Sequence, residues 1–529
     1  MSHRPAFPSS SVTRRGVLAL IGLGVTTAGV PSLAGCASDK AAAPAVTGAP
    51  TGKARRGGTA RLAFAGAGAS ESLDPTVGTS PCDLARYSVL FDTLFSFTDG
   101  EAKPALATAA EVDSKAKRCT LTLRKGVKWH DGTSFTAADV VHTLKYRASP
   151  DRVSPSELSA YFDLASAKAG DDDHTVLVPT RQPVGDPATL FAGAGLYVIK
   201  RNTDSFTAES AVGTGPYRLT SFKAGTETRL ERFDGYWDGD GPADKVVLLS
   251  VDDAQARVNA VRDGQADYAS DISFATAKAG APGTGLQIRD AGKDLRTTYG
   301  FVLNVGRTLP SDPRVREAIK LGIDREALVK AVFLGYGKPA NDLFGAGAKY
   351  YLDDVPVPER DVAKAKRLLR KAGATGKPFV VRTAEYESGL NSSAELFVEQ
   401  LKELGLDASL VKVSTTQGYD PAGMKACDAI SFPLGPVSLA LAYTRSAAFK
   451  TLAFPDKELQ GAVAEAISTT SDSARADAWA KAQRVMADRG NWIAWGRADV
   501  LSLAKAQLTG IENRESPKYP WLGKVGFTA

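Results

Sequence analysis

No Walker-type phosphate loop, complete GxGxxG, HExxH or GxSxG motif occurs in the 529 residues, so nucleotide hydrolysis, zinc proteolysis and serine-hydrolase chemistry have no local signature here. Gly193-Ala194-Gly195 and Gly345-Ala346-Gly347 are fragments that read as loop glycines. Histidine is scarce: of His3, His130, His142 and His174 only His130 and His142 lie near one another, so no metal site and no cofactor are read. The carboxylates of Asp353-Asp354 and of Asp171 to Asp173 sit in polar stretches and read as solvated loops, and no catalytic residue is assigned. Basic runs interleaved with aromatics are also missing. Three of the six excess positive charges, Arg4, Arg14 and Arg15, precede Cys36, and the +3 that remains is too little to argue for nucleic acid.

A long apolar run is absent too. Val17 to Ala34 is mildly apolar but too rich in glycine for a membrane span, and it follows a twin-arginine pattern, Thr13-Arg14-Arg15-Gly16-Val17-Leu18. Leu33-Ala34-Gly35-Cys36 resembles a bacterial lipobox. The expectation is a signal peptide over residues 1–35 and lipidation at Cys36. The protein would then be exported and held by lipid on the outer face of the cytoplasmic membrane, two acyl chains being enough for stable attachment. Residues 36–57, mostly Ala, Pro, Gly, Thr, Lys and Arg, read as a flexible tether. Cys82, Cys119 and Cys427 remain, an odd number that permits at most one disulfide, Cys82 with Cys119 being one option.

What is present is organised around Cys119 to Arg147. Cys119, Leu121 and Leu123 alternate with Thr120 and Thr122, Lys125-Gly126 turns, and a second alternation through Val127 and Trp129 predicts a short hairpin. Thr136-x-x-Asp139 is a capping box ahead of a helix with Val140, Val141 and Leu144 on its apolar face. Further on come Gly213-Thr214-Gly215-Pro216-Tyr217, then Leu230-Glu231-Arg232 leading to Tyr236-Trp237, then Asp312-Pro313-Arg314-Val315-Arg316 and Ile323-Asp324-Arg325. Gly213 and Gly215 suit positive φ or a close backbone approach, and Asp312 and Asp324 suit helix caps with Pro313 at the first helical position. Asp361 caps a helix stopped by Gly373, and strand Phe379–Thr383, helix Ser393–Leu404 and strand Leu406–Val413 imply a parallel crossover.

These segments, in this order, resemble the signatures of the extracellular solute-binding proteins of ABC importers, in the peptide, nickel and oligosaccharide class known as family 5. The resemblance also takes in Gly57-Gly58-Thr59 and Leu73-Asp74-Pro75 and covers nearly the whole chain after Gly57. It implies an α/β fold, a two-lobed periplasmic-binding-protein-like clamp of type II with an extra subdomain. The expected division is lobe I over 58–298 with the subdomain at about 84–204, lobe II over 299–490, and a return to lobe I over 491–529. The implied function is capture of an extracellular solute, peptide or peptide-like, between the lobes and its delivery to ABC permease and ATPase subunits. An enzyme or a ligand sensor on the same scaffold is the alternative.

Peptide-binding relatives place an arginine and an aspartate where this chain has Ser431 and Val437, in Cys427-Asp428-Ala429-Ile430-Ser431-Phe432-Pro433-Leu434-Gly435-Pro436-Val437. That departure favours a less charged ligand, or one whose charge is met elsewhere. The candidate ligand residues are Tyr299, Asn304, Glu385, Tyr386, Ser431, Phe432 and Val437.

Overall fold

The computed structural model describes Val46, Gly48 and residues 52–113, 117–149, 156–193, 195–292, 296–448, 450–514, 516 and 518–529, all within the unit 43–529. The twin-arginine pattern and Cys36 lie outside the described residues.

Alternation along Arg118–Leu123 buries Cys119, Leu121 and Leu123 and leaves Arg118 and Thr122 in solvent. The strand does not pair with the Val127–Trp129 segment. It is central in a four-stranded sheet, antiparallel to Ala107–Val112 on one side and Thr175–Pro179 on the other. Val127–Phe135 closes on itself instead, through Trp129 N to Thr133 O (2.9 Å) and Phe135 N to Val127 O (3.0 Å). Lys125-Gly126 is thus a corner between two structures. Helix Ala137–Ala148 starts as expected, with the Asp139 carboxylate accepting from the Thr136 amide at 2.8 Å.

Two larger sheets carry the lobes of the clamp. The first has seven strands, in the order Leu286–Arg289, Ser502–Lys505, Tyr268–Ala269, Thr59–Phe64, Lys245–Ser250, Glu227–Arg232, Tyr217–Lys223. The second has six, in the order Gly337–Pro339, Trp492–Ala498, Thr297–Leu303, Ala429–Leu434, Pro378–Thr383, Asp407–Lys412. The chain passes between sheets after Arg289 and returns between Ala498 and Ser502, so two connections join the lobes. Pro378–Thr383 and Asp407–Lys412 are parallel across helix Leu390–Leu404, as the crossover pattern requires. Asp312, Asp324 and Asp361 cap their helices through the amides of Arg314, Ala327 and Lys364, each at 2.8 Å.

His130 ties the first signature to the second. Its Nδ1 accepts from the Gly213 amide at 3.2 Å, which leaves Nε2–H to donate to the Gly215 carbonyl at 2.9 Å, a neutral tautomer with both nitrogens used. A Cβ on Gly213 or Gly215 would collide with the Leu90 or Val89 carbonyl oxygen, so close approach is what these glycines allow. Burial first of all pushes the His130 imidazole down to about 4. The folded-state value lies below the unfolded one, so the stability His130 contributes is complete above pH 6.5 and is lost as the pH falls toward 4. In a ring-proton NMR titration His130 should stay neutral down to about pH 5. A midpoint near 6.5 would refute this arrangement.

Cys82, Cys119 and Cys427 are buried free thiols, pushed up by burial to about 12, 12 and 11. Among the described residues no helix is long and apolar enough to cross a membrane, and no group of His, Cys, Asp and Glu could hold a metal ion.

Candidate functional site

Strand Ala429–Leu434 sorts its side chains by parity. Ile430, Phe432 and Leu434 turn to the face shared with Val302, Trp492 and Ala494, whereas Ala429 packs with Phe301, Phe379 and Phe397 on the other. The first face continues without a break into the core of the extra subdomain, where Leu121, Trp129 and Phe191 pack. It is therefore the junction of the two lobes. Polar contacts cross it as well: Tyr161 Oη with Thr444 Oγ1 at 2.6 Å, Gly185 N to Ile467 O at 2.7 Å and Lys349 N to Gly100 O at 3.2 Å.

A path of aromatic rings runs along the second lobe at this junction. Tyr386 stacks on Tyr419 (4.6 Å between centroids, 8° between planes), and Tyr419, Phe432, Trp492, Phe344, Tyr443 and Trp479 follow at successive spacings of 5.5, 6.0, 5.0, 5.4 and 5.6 Å. The hydroxyls of Tyr419 and Tyr443 and Trp492 Nε1 are buried along it without a hydrogen-bonding partner among the described residues. Buried polar groups of this kind are costly unless something pairs with them. At the Trp479 end lies a cavity of about 230 Å³. Glu101, Asp186 and Leu190 of the subdomain line one side, and Lys349, Ser438, Leu439, Ile467, Arg475 and Trp479 the other.

The residues expected at the site divide. Tyr386 and Phe432 belong to the aromatic path, and Val437 is half-buried at the step before Ser438, where the cavity begins. The others serve their own lobe. Tyr299 is buried against Phe333 and Trp495 and donates to the Ser388 carbonyl at 3.2 Å. Asn304 donates to the Met424 and Cys427 carbonyls at 3.2 and 3.1 Å and accepts from the Gly306 amide. Glu385 accepts from the amides of Gly389 and Asn391 at 2.7 and 2.6 Å, at the start of helix Leu390–Leu404. Ser431 shares a hydrogen bond with Thr383 Oγ1 at 2.8 Å, on the face turned away from Phe432.

Sequence reasoning missed Tyr419, Trp479, Arg475 and Glu387. Glu387 is 7% exposed, and burial above all raises its carboxyl to about 7, with Lys518 opposing and Asp271 reinforcing the rise. Lys518 also bonds the Tyr386 carbonyl and lies 3.7 Å from Asp271, so this cluster spans the two lobes. The arrangement can grip a solute by ring faces, unpaired donors and fixed charge. Among the described residues it holds no set of a nucleophile, its base and an orienting group.

Residues 101–435 match the family described as bacterial extracellular solute-binding proteins, family 5 middle region. The glutathione-binding protein GsiB of Salmonella choleraesuis is 25% identical over 466 residues, covering 83% of this chain and 89% of that protein. Among solved structures, the ABC transporter-associated periplasmic binding protein DppA from Helicobacter pylori, in complex with the peptide STSA, superposes with a TM-score of 0.78 at 19% identity, over 90% of this chain and 99% of that one. The binding protein AgaA in complex with agropinic acid, from A. tumefaciens R10, gives 0.75 at 22% identity, over 89% and 99%.

Proposed function

We propose that this chain, which belongs to family 5 of the bacterial extracellular solute-binding proteins and serves ABC import by binding solute and not by catalysis, closes its lobes on a peptide or peptide-like solute. The observation that carries the reading is the aromatic path ending in a cavity at the lobe junction, with three buried donors left unpaired along it. Ring faces and sparse, placed polar groups suit a solute with amide and side-chain functions more than a uniformly apolar one. Glutathione and the peptide STSA, bound by the relatives named above, are of this class.

Lobe I then runs over 58–298 with its subdomain at about 84–204, lobe II over 299–490, and the return over 491–529. Tyr386, Phe432 and Val437 are the ligand residues retained from the sequence, and Tyr419, Trp492 and Trp479 join them. Residues 1–35 direct export, Cys36 carries the lipid, and 36–57 tether the clamp beside its permease. Native mass spectrometry of the protein released from its own membranes tests both parts. A peptide-like molecule should be released on denaturation, and the mature chain should begin at a diacylated Cys36. A co-purifying solute with no amide function, or a mature chain with an unmodified Cys36, would refute the corresponding part.

A further inference from the structure

We infer that Arg475 anchors a carboxylate of the bound solute in the cavity at the lobe junction, an inference that deepens the peptide-like reading and rests on it. Arg475 lies in the first turn of helix Asp472–Arg489 and is 8% exposed. Arginine is almost never buried this far without close pairing. Here Nη2 donates to the Thr469 carbonyl at 2.7 Å, Nη1 reaches the Tyr350 hydroxyl only at 3.5 Å, and Nε is buried with no partner among the described residues. The nearest carboxylates, Asp186 across the junction at 3.8 Å and Asp472 at 3.9 Å, are both outside hydrogen-bonding distance.

The reason Asp186 does not close on Arg475 is local. Its carboxylate is already held by the Thr189 amide at 3.2 Å and the Thr189 hydroxyl at 2.7 Å. Asp472 is likewise engaged by Lys349 Nζ at 3.0 Å and by the Tyr350 hydroxyl. The guanidinium thus keeps unused donor capacity toward a cavity whose remaining surface includes Leu190, Leu439, Ile467 and Trp479. Arg289 also has a buried Nε without a partner among the described residues, but its two terminal nitrogens are spent on the Leu508, Lys505 and Ala506 carbonyls. Arg257 spends its nitrogens on four carbonyls, those of Ser270, Val251, Asp252 and Asp271, all between 2.7 and 2.9 Å.

At about 230 Å³ the cavity falls below the roughly 300–1,000 Å³ that encloses a whole drug-sized ligand, so it takes one end of the solute. That end is a carboxylate with an adjoining apolar group: the planar fork of Arg475 meets the two oxygens, and Leu439 and Trp479 meet the apolar part. Lys349, on the same wall, is already paired with Asp472 and lies 3.8 Å from Glu101, so the charge left for a solute carboxylate is that of Arg475.

The test is calorimetric titration of the protein, stripped of solute, with peptides of two to five residues supplied in pairs of the same sequence, one with a free C-terminal carboxylate and one with a carboxamide. The free acids should bind about 10- to 100-fold more tightly than the amides, the range for one charge-assisted hydrogen-bonding group. Arg475→Gln should abolish that difference by weakening only the acids. Asp186→Asn, which keeps an acceptor for Thr189 and removes the competing charge, should tighten the acids and leave the amides unchanged. Acids and amides bound equally by the unaltered protein, or acids bound unchanged by Arg475→Gln, would overturn the anchor and leave the peptide-like reading standing. Binding of neither form would overturn that reading and the anchor with it.

Discussion

Arg86→Met should lower the stability of the protein by about 3–5 kcal/mol, the cost of breaking a buried ion pair from one side. Arg86 is 0% exposed and is the centre of a closed network. Its Nη2 meets Glu71 Oε2 at 2.7 Å, Nη1 meets Asp83 Oδ1 at 2.6 Å and the Ser72 carbonyl at 2.9 Å, and Nε donates to Thr228 Oγ1 at 2.8 Å. Methionine fills much of the same volume and leaves two carboxylates buried without their counter-charge, so the loss is electrostatic and not a matter of packing. Helix Pro81–Leu90, which carries Arg86, also holds the Leu73-Asp74-Pro75 turn, since Tyr87 Oη lies 2.8 and 2.9 Å from the Ser72 and Asp74 carbonyls that it donates to. Urea denaturation followed by tryptophan fluorescence measures the effect. The triple variant Glu71→Gln, Asp83→Asn, Arg86→Met should recover part of it, because no unpaired charge then remains. An Arg86→Met midpoint within error of the unaltered protein would mean that the network contributes nothing.

Local chemistry is what the sequence made legible. Helix starts at Asp312, Asp324 and Asp361 and the stop at Gly373 were readable because capping depends on residues two or three positions apart and on positive φ, here 65°. The alternation of Cys119, Leu121 and Leu123 gave the buried face of its strand but not its partners. Ala107–Val112, rich in alanine, carries little strand signal and pairs only because a neighbouring edge is available.

The candidate site was legible in proportion to how locally it is built. Phe432 was found because strand parity sends it to the junction. Ser431, one position away, turns to Thr383 for the same reason. Arg475 gave no signal, since a single arginine in the first turn of an exposed-looking helix becomes a buried group only when Asp186 and Leu190, almost 300 residues earlier, are brought against it. Charge at a closing junction belongs to two distant segments at once, and neither of them shows it alone.

The same holds for Glu387, where the consequence is a dependence on pH. Its folded-state value of about 7, raised above all by burial, exceeds the ordinary 4.5, so the folded protein holds a proton that the unfolded chain gives up. The stability associated with Glu387 is therefore fully present below pH 4.5 and is lost as the pH rises through about 7, a change on the order of 3 kcal/mol. The groups that face it act in opposite directions: Lys518 of the return segment favours the carboxylate, and Asp271 of the first lobe disfavours it. Glu387→Gln, which cannot ionise, should equal the unaltered protein at pH 4.5 and exceed its stability at pH 8. Taking the difference between the two proteins removes the opposing contribution of His130 below pH 6.5, and that of Asp92, raised to about 6 by burial and acting in the same direction as Glu387. Urea midpoints for the pair at pH 4.5, 6 and 8 decide the matter. Parallel curves across that range would show that Glu387 is ionised in the folded state with its charge already balanced by Lys518. Divergence that opens between pH 4.5 and 7 would show that the folded protein holds the Glu387 carboxyl protonated where the two lobes meet, so that the fold is less stable as the surroundings become alkaline.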